Sequence, residues 1–513
     1  MSQNDLSPTQ FCEEKSRRFL EVSTVSVRKK QGQFFTPLEV ANFMANLAPI
    51  RTKTLRVLDP GAGTGMLSCA VCENGARQKA LDKIHIDAYE NDANLLELLH
   101  DSMEYARLWL SIRGIKLTYN ILAEDFILAN AKTLWRKKPL FYDLAIGNPP
   151  YFKISKSDPR ALSNLELVYG QPNIYALFMG VTAELLRNKG VMVFITPRSY
   201  TAGHYFKAFR RRFFEVMRPE RVHLFESRKD AFRADDVLQE NIILMASKAS
   251  AAQSVGISAS QGVNDIFKAK IRKIPISRAL FRNKKDLIFR LPANDLEDRI
   301  LDMVDEWPGS LRKHGMEIST GPVVLFRAKE LIPVNTGKNK NLVPLLWMQH
   351  VQPMKIQWPL QGNNNNKEKH QFIKNNAESR KRKLLVNNNN LVLLRRFSAK
   401  EEVRRLVAAP LLMGQLSSEL IGIENHLNYI YRLEGSLSEI EALGLSALLN
   451  SSLLDRYFRT SNGNTQVSAT ELRAMPLPPL EVLLRLGNKI KRFSGVPTLE
   501  QLDVIVEQTL EVG

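Results

Sequence analysis

The sequence predicts an α/β protein with a mostly parallel, doubly wound sheet in its N-terminal half and a mixed α+β domain in its C-terminal half. Three observations predict this. From about residue 37 to residue 250, short apolar runs alternate with stretches of helical periodicity, which is the order that builds a parallel sheet with helices on both faces. A Gly-rich turn directly follows the first apolar run. After about residue 250 the alternation fades, so we expect a second domain of different construction.

The expected domain boundaries follow these changes in pattern. The chain has 513 residues, enough for two or three domains. We expect a polar, helical lead-in at 1–30, the sheet domain at 31–255 and the second domain at 256–513, with a helical C-terminal part. Residues 360–392, which contain two asparagine runs, are expected to be rich in loops.

Charge and cysteine content narrow the class of protein. The chain carries 72 lysine and arginine residues against 53 acidic residues, a net charge of +19, which favours a long anionic partner such as nucleic acid. Three cysteines (Cys12, Cys69 and Cys72) cannot form a disulfide framework, so we expect a reducing, cytoplasmic environment. No apolar run follows a basic head and no stretch reaches ~18 apolar residues, so neither a signal peptide nor a membrane span is expected.

The first strand, LRVLDP (55–60), runs into the turn DPGAGTG (59–65) and then a helix. Glycines permit a tight turn and let backbone N–H groups approach a ligand. The spacing matches neither the dinucleotide pattern G-x-G-x-x-G nor the P-loop, so a pyrophosphate or triphosphate is not favoured. Cys69 and Cys72 lie on the helix without a second pair of metal ligands nearby, and we expect them to be small core residues.

Acidic and aromatic residues follow the next two strands. IHIDAYE (84–90) ends in Glu90, whose carboxylate can accept hydrogen bonds from ribose hydroxyls; the alternative is a charge at the start of the next helix. NILAEDFIL (120–128) places Asp125 to accept from an exocyclic amine and Phe126 to stack on a purine, and a purely structural pair is the alternative. Together these residues predict a pocket for an adenosine-bearing ligand at the carboxyl ends of the strands.

The fourth strand pattern, YDLAIGNPP (142–150), ends in Asn148-Pro149-Pro150, and Tyr151 follows. A planar exocyclic amine attacks electrophiles poorly because its lone pair is delocalised into the ring. Two acceptors, Asn148 Oδ1 and the Pro149 carbonyl, can draw such a nitrogen towards a tetrahedral, nucleophilic state, and the prolines hold both acceptors in place. Tyr151 offers a face on which an extruded base can stack. The alternative is an ordinary tight turn.

A helix and three strands complete the α/β pattern. The helix is expected to span NIYALFMGVTAELLRNKG (173–190). The strands are VMVFITP (191–197), RVHLFES (221–227) and NIILMAS (241–247). Lys153 and Arg198 follow two of the strands and can contact phosphates, although solvated surface is the alternative for both.

These motifs together resemble those of the γ-class DNA adenine-N6 methyltransferases of bacterial restriction–modification systems, whose C-terminal part recognises the target. GQFFTP (32–37) resembles the family's opening motif, DPGAGTG its S-adenosyl-L-methionine (AdoMet) loop and NPPY its catalytic element. The match spans about residues 30–245. The resemblance implies a Rossmann-like, AdoMet-binding catalytic domain followed by a DNA target-recognition domain.

The resemblance also implies roles for individual residues. The catalytic residues would be Asn148, Pro149, Pro150 and Tyr151. The residues that bind AdoMet would be Phe35, Thr36 and Pro37, chiefly at its methionine end, together with Asp59, Pro60, Gly61, Gly63, Glu90, Asp125 and Phe126. A second aromatic residue would hold the flipped base; Phe232 is the candidate, and Phe225 competes with it.

In the C-terminal half, the segment 449–479 resembles parts of the target-recognition regions of related enzymes. Its loop, rich in Ser, Asn and Gly, can supply contacts to base edges or phosphates, and an ordinary surface loop is the alternative. The candidate DNA contacts are Arg456, Arg459, Asn462, Asn464 and Gln466.

We therefore predict a site-specific DNA methyltransferase that transfers a methyl group from AdoMet to N6 of a flipped-out adenine in double-stranded DNA, without a metal. The methylation would protect DNA from a cognate restriction endonuclease that acts separately. We expect a monomer, in the cytoplasm and associated with the nucleoid.

Several alternatives stay open. Cytosine-N4 and RNA adenine-N6 methylation use the same chemistry, although cytosine-N4 enzymes more often carry Ser in place of Asn148. Glutamine methyltransferases that act on release factors share NPPY but are much shorter and lack a large basic C-terminal domain. A non-catalytic DNA specificity protein is the alternative from a different class, and the intact glycine turn and NPPY argue against it.

Overall fold

The computed structural model describes residues 6–22, 35–50, 52–78, 81–131, 141–225, 241–282, 286–333, 341–360, 370–398, 402–461 and 467–511. The chain forms two compact units. Unit 1 comprises residues 1–294 with the short segment 461–463, and unit 2 comprises residues 295–460 and 464–513. The sequence placed the boundary earlier, at 255/256.

A nine-stranded sheet forms the centre of unit 1, in the order β3-β2-β1-β4-β5-β7-β6-β8-β9. The strands of unit 1 are β1 (Thr54–Pro60), β2 (Lys83–Tyr89), β3 (Lys116–Leu122), β4 (Tyr142–Gly147), β5 (Leu186–Pro197), β6 (Met217–Phe225), β7 (Asn241–Lys248), β8 (Ser254–Ser260), β9 (Arg272–Pro275), β10 (Leu280–Arg282) and β11 (Leu287–Phe289). Strands β1 to β5 run parallel, whereas β7 is antiparallel to β5 and β6. The mostly parallel sheet predicted from the sequence is confirmed.

Helices cover both faces of this sheet. They are α1 (Pro8–Val22), α2 (Leu38–Leu47), α3 (Met66–Ala76), α4 (Ala93–Ser111), α5 (Phe126–Asn130), α6 (Pro159–Leu162), α7 (Ile174–Leu185), α8 (Lys207–Val216) and α9 (Ile276–Ala279). Ala145 and Phe194 pack into one core with α7 and α8. Ile146 and Val193, the neighbours of those two residues, pack into the other core with α2, α3 and α4. Successive side chains of a strand point to opposite faces, so the sheet is doubly wound.

Two boundaries differ from the sequence prediction. Helix α7 ends at Leu185, before the predicted residue 190, because Leu186 already pairs with Tyr142 of β4 and is fully buried. Strands β8 and β9 extend the first sheet through β6, which is why unit 1 continues beyond residue 255.

Unit 2 is a mixed α+β structure, as predicted. Its strands are β12 (Met316–Thr320), β13 (Leu342–Leu346), β14 (Val351–Gln352), β15 (Lys355–Ile356), β16 (Phe372–Lys374), β17 (Leu385–Asn387), β18 (Leu391–Arg395), β19 (Ala408–Leu411), β20 (Leu420–Ile423) and β21 (Leu427–Arg432). Its helices are α10 (Asp295–Asp305), α11 (Ala377–Lys381), α12 (Glu439–Leu449), α13 (Ser452–Ser461), α14 (Ala469–Ala474), α15 (Leu480–Arg492) and α16 (Leu499–Leu510). Two four-stranded sheets have the orders β12-β21-β18-β19 and β16-β13-β20-β17.

The region predicted to be rich in loops is more regular than expected. Between its described ends lie β16, α11 and β17. Asparagine side chains hold the connections, because Asn388 Nδ2 donates to Ser418 O over 2.7 Å and Asn390 Nδ2 donates to Leu437 O over 2.8 Å. These residues therefore act as local hydrogen-bonding partners of the backbone. The first asparagine run, 363–366, lies outside the described residues.

None of the helices in the described part of the chain combines the length and the apolarity that crossing a bilayer requires. Cys12, Cys69 and Cys72 are fully buried, which agrees with the core role expected for the pair Cys69 and Cys72.

Candidate active site

The ends of adjacent parallel strands bring the sequence motifs together. Gly61 follows β1, Glu90 follows β2 and Asn148 follows β4, and these strands are neighbours in the order β2-β1-β4. All three residues line one cavity of about 490 Å³, within the range of small-molecule sites. The strand order reverses between β1 and β4, which is where open α/β sheets bind ligands.

The glycine turn shapes the floor of this cavity. Gly61 N and Ala62 N both donate to Tyr89 O, over 2.9 and 2.8 Å, so the turn is held against the end of β2. Gly63 has φ +58°, and a Cβ built on it would meet open space. This backbone conformation favours glycine, and the turn leaves room for a ligand to approach the main chain.

Glu90 joins the turn to the helix that follows β2. Its Oε2 accepts from Gly63 N over 2.8 Å, and its Oε1 accepts from Asp92 N over 2.8 Å. The residue is 7% exposed, and burial raises the pKa of its carboxyl group. The acidic residue at the start of the next helix is Asp92, which caps α4 by accepting from Asn94 N.

Asp125 has a structural partner and a position in the cavity wall. Its Oδ1 accepts from Leu128 N over 3.0 Å and so caps α5. Its Oδ2 lies 3.5 Å from Arg160 Nη1, and both residues line the cavity. The structural and the ligand-binding interpretations of Asp125 are therefore compatible.

Phe126 is 2% exposed and lines the cavity between two other rings. Its ring centroid lies 5.1 Å from that of Tyr89 and 5.2 Å from that of Phe178. The three rings form an aromatic wall suited to a planar heterocycle.

Asn148 is held at both ends of its amide. Its Nδ2 donates to Thr36 Oγ1 over 3.1 Å, and its Oδ1 accepts from the hydroxyl of Tyr151. Thr36 lies 112 positions earlier in the chain, so the structure brings the opening motif FTP to the NPPY motif. Phe35 lines the same cavity, and Pro37 precedes the first residue of α2.

Tyr151 points inward. It is 6% exposed, its hydroxyl also lies 3.2 Å from Ile195 O, and its ring meets Tyr175 edge-on. Burial raises the pKa of the Tyr151 hydroxyl well above its usual value, so the group is neutral and donates. Pro149 is buried, whereas Pro150 lines the cavity.

The charges around the cavity favour a cation. Its lining contains four acidic residues (Glu90, Asp92, Glu124 and Asp125) and a single basic residue, Arg160, among the residues that the structure describes. This excess of carboxylates attracts a positively charged ligand and repels phosphates. The cavity therefore suits a positively charged ligand better than a nucleotide di- or triphosphate.

Asp59 lies beneath the glycine turn and not in the cavity wall. It is fully buried and outside the described cavity lining, and its Oδ2 accepts from Ser68 Oγ over 2.6 Å. Burial raises the pKa of its carboxyl group to about 7. Asp59 thus supports the start of α3 beneath the glycine turn, and Pro60, the last residue of β1, is likewise outside the lining.

Sequence reasoning missed several residues of the cavity. Phe178 comes from α7, and Arg160 from α6, where it forms an ion pair with Asp158 at 2.7 Å. Phe152 also lines the cavity, and its position directly after Tyr151 was the available signal. No spacing rule marks Phe178 or Arg160, because tertiary packing alone brings them to the strand ends.

The candidate DNA contacts of unit 1 differ in exposure. Lys153 is exposed beside its bridge partner Asn173. Arg198 is only 9% exposed, which disfavours a phosphate contact because a buried guanidinium cannot reach a backbone outside. Phe225 is a core residue at 4% exposure, and Phe232 lies outside the described residues.

The candidates of unit 2 divide in the same way. Arg456 is exposed on α13. Arg459 is engaged within the unit, since its Nε lies 2.6 Å from Asp455 Oδ2 and its Nη2 donates to Glu402 O. Asn462, Asn464 and Gln466 lie outside the described residues.

Known proteins resemble this chain along nearly its whole length. The Type II methyltransferase M.PstI of Providencia stuartii is 34% identical over 490 residues, which are 95% of this chain and 94% of that relative. M.BsuBI of Bacillus subtilis, also a Type II methyltransferase, is 33% identical over 516 residues, 98% of each chain. The family described as the Eco57I restriction-modification methylase matches residues 75–232.

A solved structure shares the fold. It is a nuclease-deletion mutant of the Type ISP restriction-modification enzyme LlaGI in complex with a DNA substrate mimic, with a TM-score of 0.52 at 13% identity. The similarity covers 89% of this chain and 46% of that one.

Proposed function

The chain belongs to the Type II methyltransferases of restriction–modification systems, the family that its motifs predicted, and from this premise we propose that it transfers a methyl group from AdoMet to N6 of an adenine in double-stranded DNA. One observation carries the proposal. The amide of Asn148 borders the cavity that also receives the glycine turn and the Phe126 ring. An acceptor for an exocyclic amine thus lies beside a site suited to an adenosine-bearing cation.

AdoMet fits the residues of this cavity. Its net positive charge suits the acidic lining, and its adenine suits the aromatic wall around Phe126. We assign the ribose hydroxyls to Glu90 and the adenine amine to Asp125. The residues assigned to the remaining part of the cofactor are Phe35, Thr36, Pro37, Gly61 and Gly63. When bound, AdoMet supplies a methyl group activated by its sulfonium.

The chain's own part in the reaction is to hold the acceptor nitrogen. Asn148 Oδ1 and the carbonyl of Pro149 accept the two N–H bonds of the amine, which localises the lone pair on nitrogen. Thr36 keeps the amide of Asn148 in the required orientation through Nδ2. The nitrogen loses its proton after it has been methylated, so no side chain has to remove a proton beforehand.

The target base has to leave the duplex to reach Asn148, because N6 of a paired adenine is engaged in base pairing. We therefore include base flipping in the proposal. Tyr151 and Phe232 are the proposed stacking partners of the extruded adenine; the ring of Tyr151 is buried, so this role requires the ring to become accessible when the base enters. The lysines and arginines that give the chain its charge of +19 supply the attraction to the DNA backbone, with Lys153, Arg456, Asn464 and Gln466 as proposed contacts.

The proposed biological role follows from the family. Methylated target sites would be protected from a cognate restriction endonuclease that acts as a separate protein. We propose that the methyltransferase works as a monomer in the cytoplasm, on the DNA of the nucleoid.

The test is transfer of tritium from labelled AdoMet to plasmid DNA from a host without DNA methylation, followed by digestion to nucleosides. We expect label in N6-methyladenine, and loss of label by roughly 10²–10³-fold in Asn148→Ala, as for removal of a preorganised group that acts in the transition state. Asn488→Ala serves as the matched control, because Asn488 is an exposed asparagine of unit 2 and should leave transfer unchanged.

Other outcomes correct the proposal in defined ways. Label in N4-methylcytosine would retain the mechanism and change the base. Label in RNA but not in DNA would change the substrate. A protein that binds AdoMet and DNA but transfers no label would be a non-catalytic specificity protein.

A further inference from the structure

Helix α1 is an integral part of unit 1, although the sequence suggested a separate lead-in. Thr9 donates to Glu73 of α3 through both its N and its Oγ1, each over 2.7 Å. Lys15 Nζ lies 2.8 Å from Asp101 Oδ2 of α4. The ring of Phe11 stacks on that of Tyr105 at a centroid distance of 4.1 Å, and the Tyr105 hydroxyl donates to Leu6 O. Helix α1 is therefore docked on α3 and α4, the two helices that flank the glycine turn and Glu90.

The buried side of α1 contacts the glycine turn directly. Ser16 Oγ lies 2.8 Å from Thr64 Oγ1, and Cys12 Sγ donates to Thr64 O over 3.2 Å. Thr64 is 2% exposed, Ser16 is 6% exposed and Cys12 is fully buried. Thr64 directly follows Gly63, whose N–H is bonded to Glu90. Because buried hydrogen bonds restrict both partners, α1 limits the freedom of the turn that forms the cavity floor.

The same helix contacts a second wall of the cavity. The ring of Phe19 meets that of Phe35 edge-on, with centroids 6.2 Å apart. Phe35 lines the cavity and directly precedes Thr36, the partner of Asn148. Two successive turns of one helix thus support the turn beneath the cavity and the aromatic residue at its side.

We infer that α1 is a structural part of the AdoMet site, in which Ser16 positions the glycine turn through Thr64 and Phe19 positions Phe35. Neither residue touches the reacting atoms, so both are positioning residues. The inference rests on the proposed use of AdoMet in this cavity. It has a thermodynamic consequence: AdoMet binds more tightly to the state in which α1 is docked, and by linkage AdoMet stabilises that docking.

The first test measures AdoMet affinity by isothermal titration calorimetry for Ser16→Ala and Phe19→Ala. The loss of one buried hydrogen bond or ring contact predicts a Kd for AdoMet raised roughly three- to tenfold. We expect kcat at saturating AdoMet and KM for DNA to stay within about twofold of the wild-type values, as uniform binding terms do. Ser16→Thr retains the hydroxyl and should restore the affinity.

Arg18→Ala is the matched control on the same helix. The Arg18 side chain is 63% exposed and pairs with Glu14 one turn earlier. The Arg18→Ala variant should have the same Kd for AdoMet as the wild type. Circular dichroism and thermal melting of each variant establish that unit 1 is folded.

The second test uses the wild-type protein and therefore does not depend on the folding of a variant. Cys12 is fully buried against Thr64, so a thiol reagent reaches it only when α1 lifts. Saturating AdoMet should slow alkylation of Cys12 at least threefold, as located by peptide mass analysis. Cys72 in α3 is the internal reference, because global unfolding would expose it together with Cys12, whereas Cys69 faces Cys12 and would be uncovered with it when α1 lifts.

The outcomes separate this inference from the proposed function. Unchanged AdoMet affinity in folded Ser16→Ala and Phe19→Ala, or equal alkylation of Cys12 with and without bound AdoMet, would overturn the role of α1. A wild-type protein that binds no AdoMet would instead overturn the proposed function. Weaker DNA binding with unchanged AdoMet affinity would also contradict the inference, since α1 would then act on the DNA side.

Discussion

The hydroxyl of Tyr151 donates a hydrogen bond to Oδ1 of Asn148, the atom to which we assign the acceptor amine. At the other end of the amide, Nδ2 donates to Thr36 Oγ1. A carbonyl oxygen has two lone pairs, so Tyr151 engages one of them and fixes the plane of the amide. The third residue after Asn148 is therefore a positioning group in this structure as well as a proposed stacking face.

Tyr151→Phe is predicted to lower kcat. Removing the hydroxyl leaves the stacking ring in place but releases the amide of Asn148 on its oxygen side. We expect kcat for methyl transfer to fall about tenfold, the worth of one hydrogen bond of about 1.4 kcal/mol, with Kd for AdoMet unchanged. Tyr175→Phe is the matched control, because its hydroxyl contacts Ser199 and its ring contacts Tyr151. Equal kcat values for the Tyr151 variant and the wild type would contradict an orienting role.

The buried carboxyl group of Glu90 is predicted to make AdoMet affinity depend on pH. Burial raises the pKa of its carboxyl group, so the group takes up a proton as the pH falls, above the range near 4.3 in which an ordinary glutamate titrates. Protonation removes the negative charge and the acceptor for a ribose hydroxyl, and AdoMet affinity should therefore fall towards acid pH. Calorimetry between pH 8 and pH 5.5 tests this.

Two variants complete the test of Glu90. Glu90→Gln should bind AdoMet more weakly at pH 8 and lose the pH dependence. Glu124→Gln, at an exposed position of the same cavity wall, should retain the dependence. A pH dependence that persists in Glu90→Gln would assign it to another group.

The sequence predicted the parts of the site that local pattern determines. The glycine turn, Glu90 and NPPY all follow strands with clear apolar patterns, and parallel strands bring their carboxyl ends to one edge. Their convergence could therefore be inferred without coordinates. The burial of Asp59 could not, since a residue at the end of a strand can point to either face, and the register of β1 alone decides between them.

Other features depend on tertiary structure that no local rule supplies. Leu185 and Leu186 are apolar residues that suit a helix or a strand, and the pairing of Leu186 with Tyr142 ends α7 there. Strand β8, SVGISAS, has few large apolar residues, so the sequence pattern does not indicate a strand there. Helix α1 was recognised as a helix, but its contacts with Thr64 and Phe35 join segments far apart in sequence.

Substitution by alanine is predicted to have different effects at Arg456 and Arg459. Arg456 is exposed, so Arg456→Ala should weaken DNA binding and lower the slope of log K against log salt concentration by about 1, as for the loss of one phosphate contact. Arg459 pairs with the buried Asp455, so Arg459→Ala should lower the melting temperature instead. Fluorescence anisotropy over a salt series and thermal melting distinguish the two. Equal salt slopes in Arg456→Ala and the wild type would place the DNA contact elsewhere.

The buried carboxyl group of Asp59 is predicted to make the folded protein less stable as the pH rises. The pKa of its carboxyl group is about 7 in the folded protein because of burial, against about 3.9 in an unfolded chain. Between these values the folded state binds more protons, so the free energy of unfolding decreases with increasing pH and levels off above pH 7.

Asp59→Asn removes this cost while preserving a side-chain oxygen for Ser68. The free energy of unfolding of Asp59→Asn relative to the wild type should therefore increase between pH 5 and pH 8 by on the order of 2–4 kcal/mol. Its melting temperature should rise relative to the wild type over the same range. Asp143→Asn is a control from the neighbouring strand β4; because Asp143 is ion-paired with Arg187, this variant should have a lower melting temperature than the wild type at both pH values. A difference in melting temperature that is constant with pH would show that Asp59 is ionised throughout.

The close packing of α15 on α12 at Gly487 is predicted to make substitution by alanine destabilising. It lies on α15 against α12, and a Cβ built on it would overlap the carbonyl oxygen of Ile440. An exposed Gly in a helix is usually improved by Ala, by about 1 kcal/mol. Here overpacking is the larger effect, and Gly487→Ala should destabilise unit 2 by roughly 1–3 kcal/mol. Asn488→Ala, at the next and exposed position of the same helix, should leave stability within about 0.5 kcal/mol. Denaturant unfolding measures both, and a stabilised Gly487→Ala protein would mean that α12 and α15 are farther apart in solution.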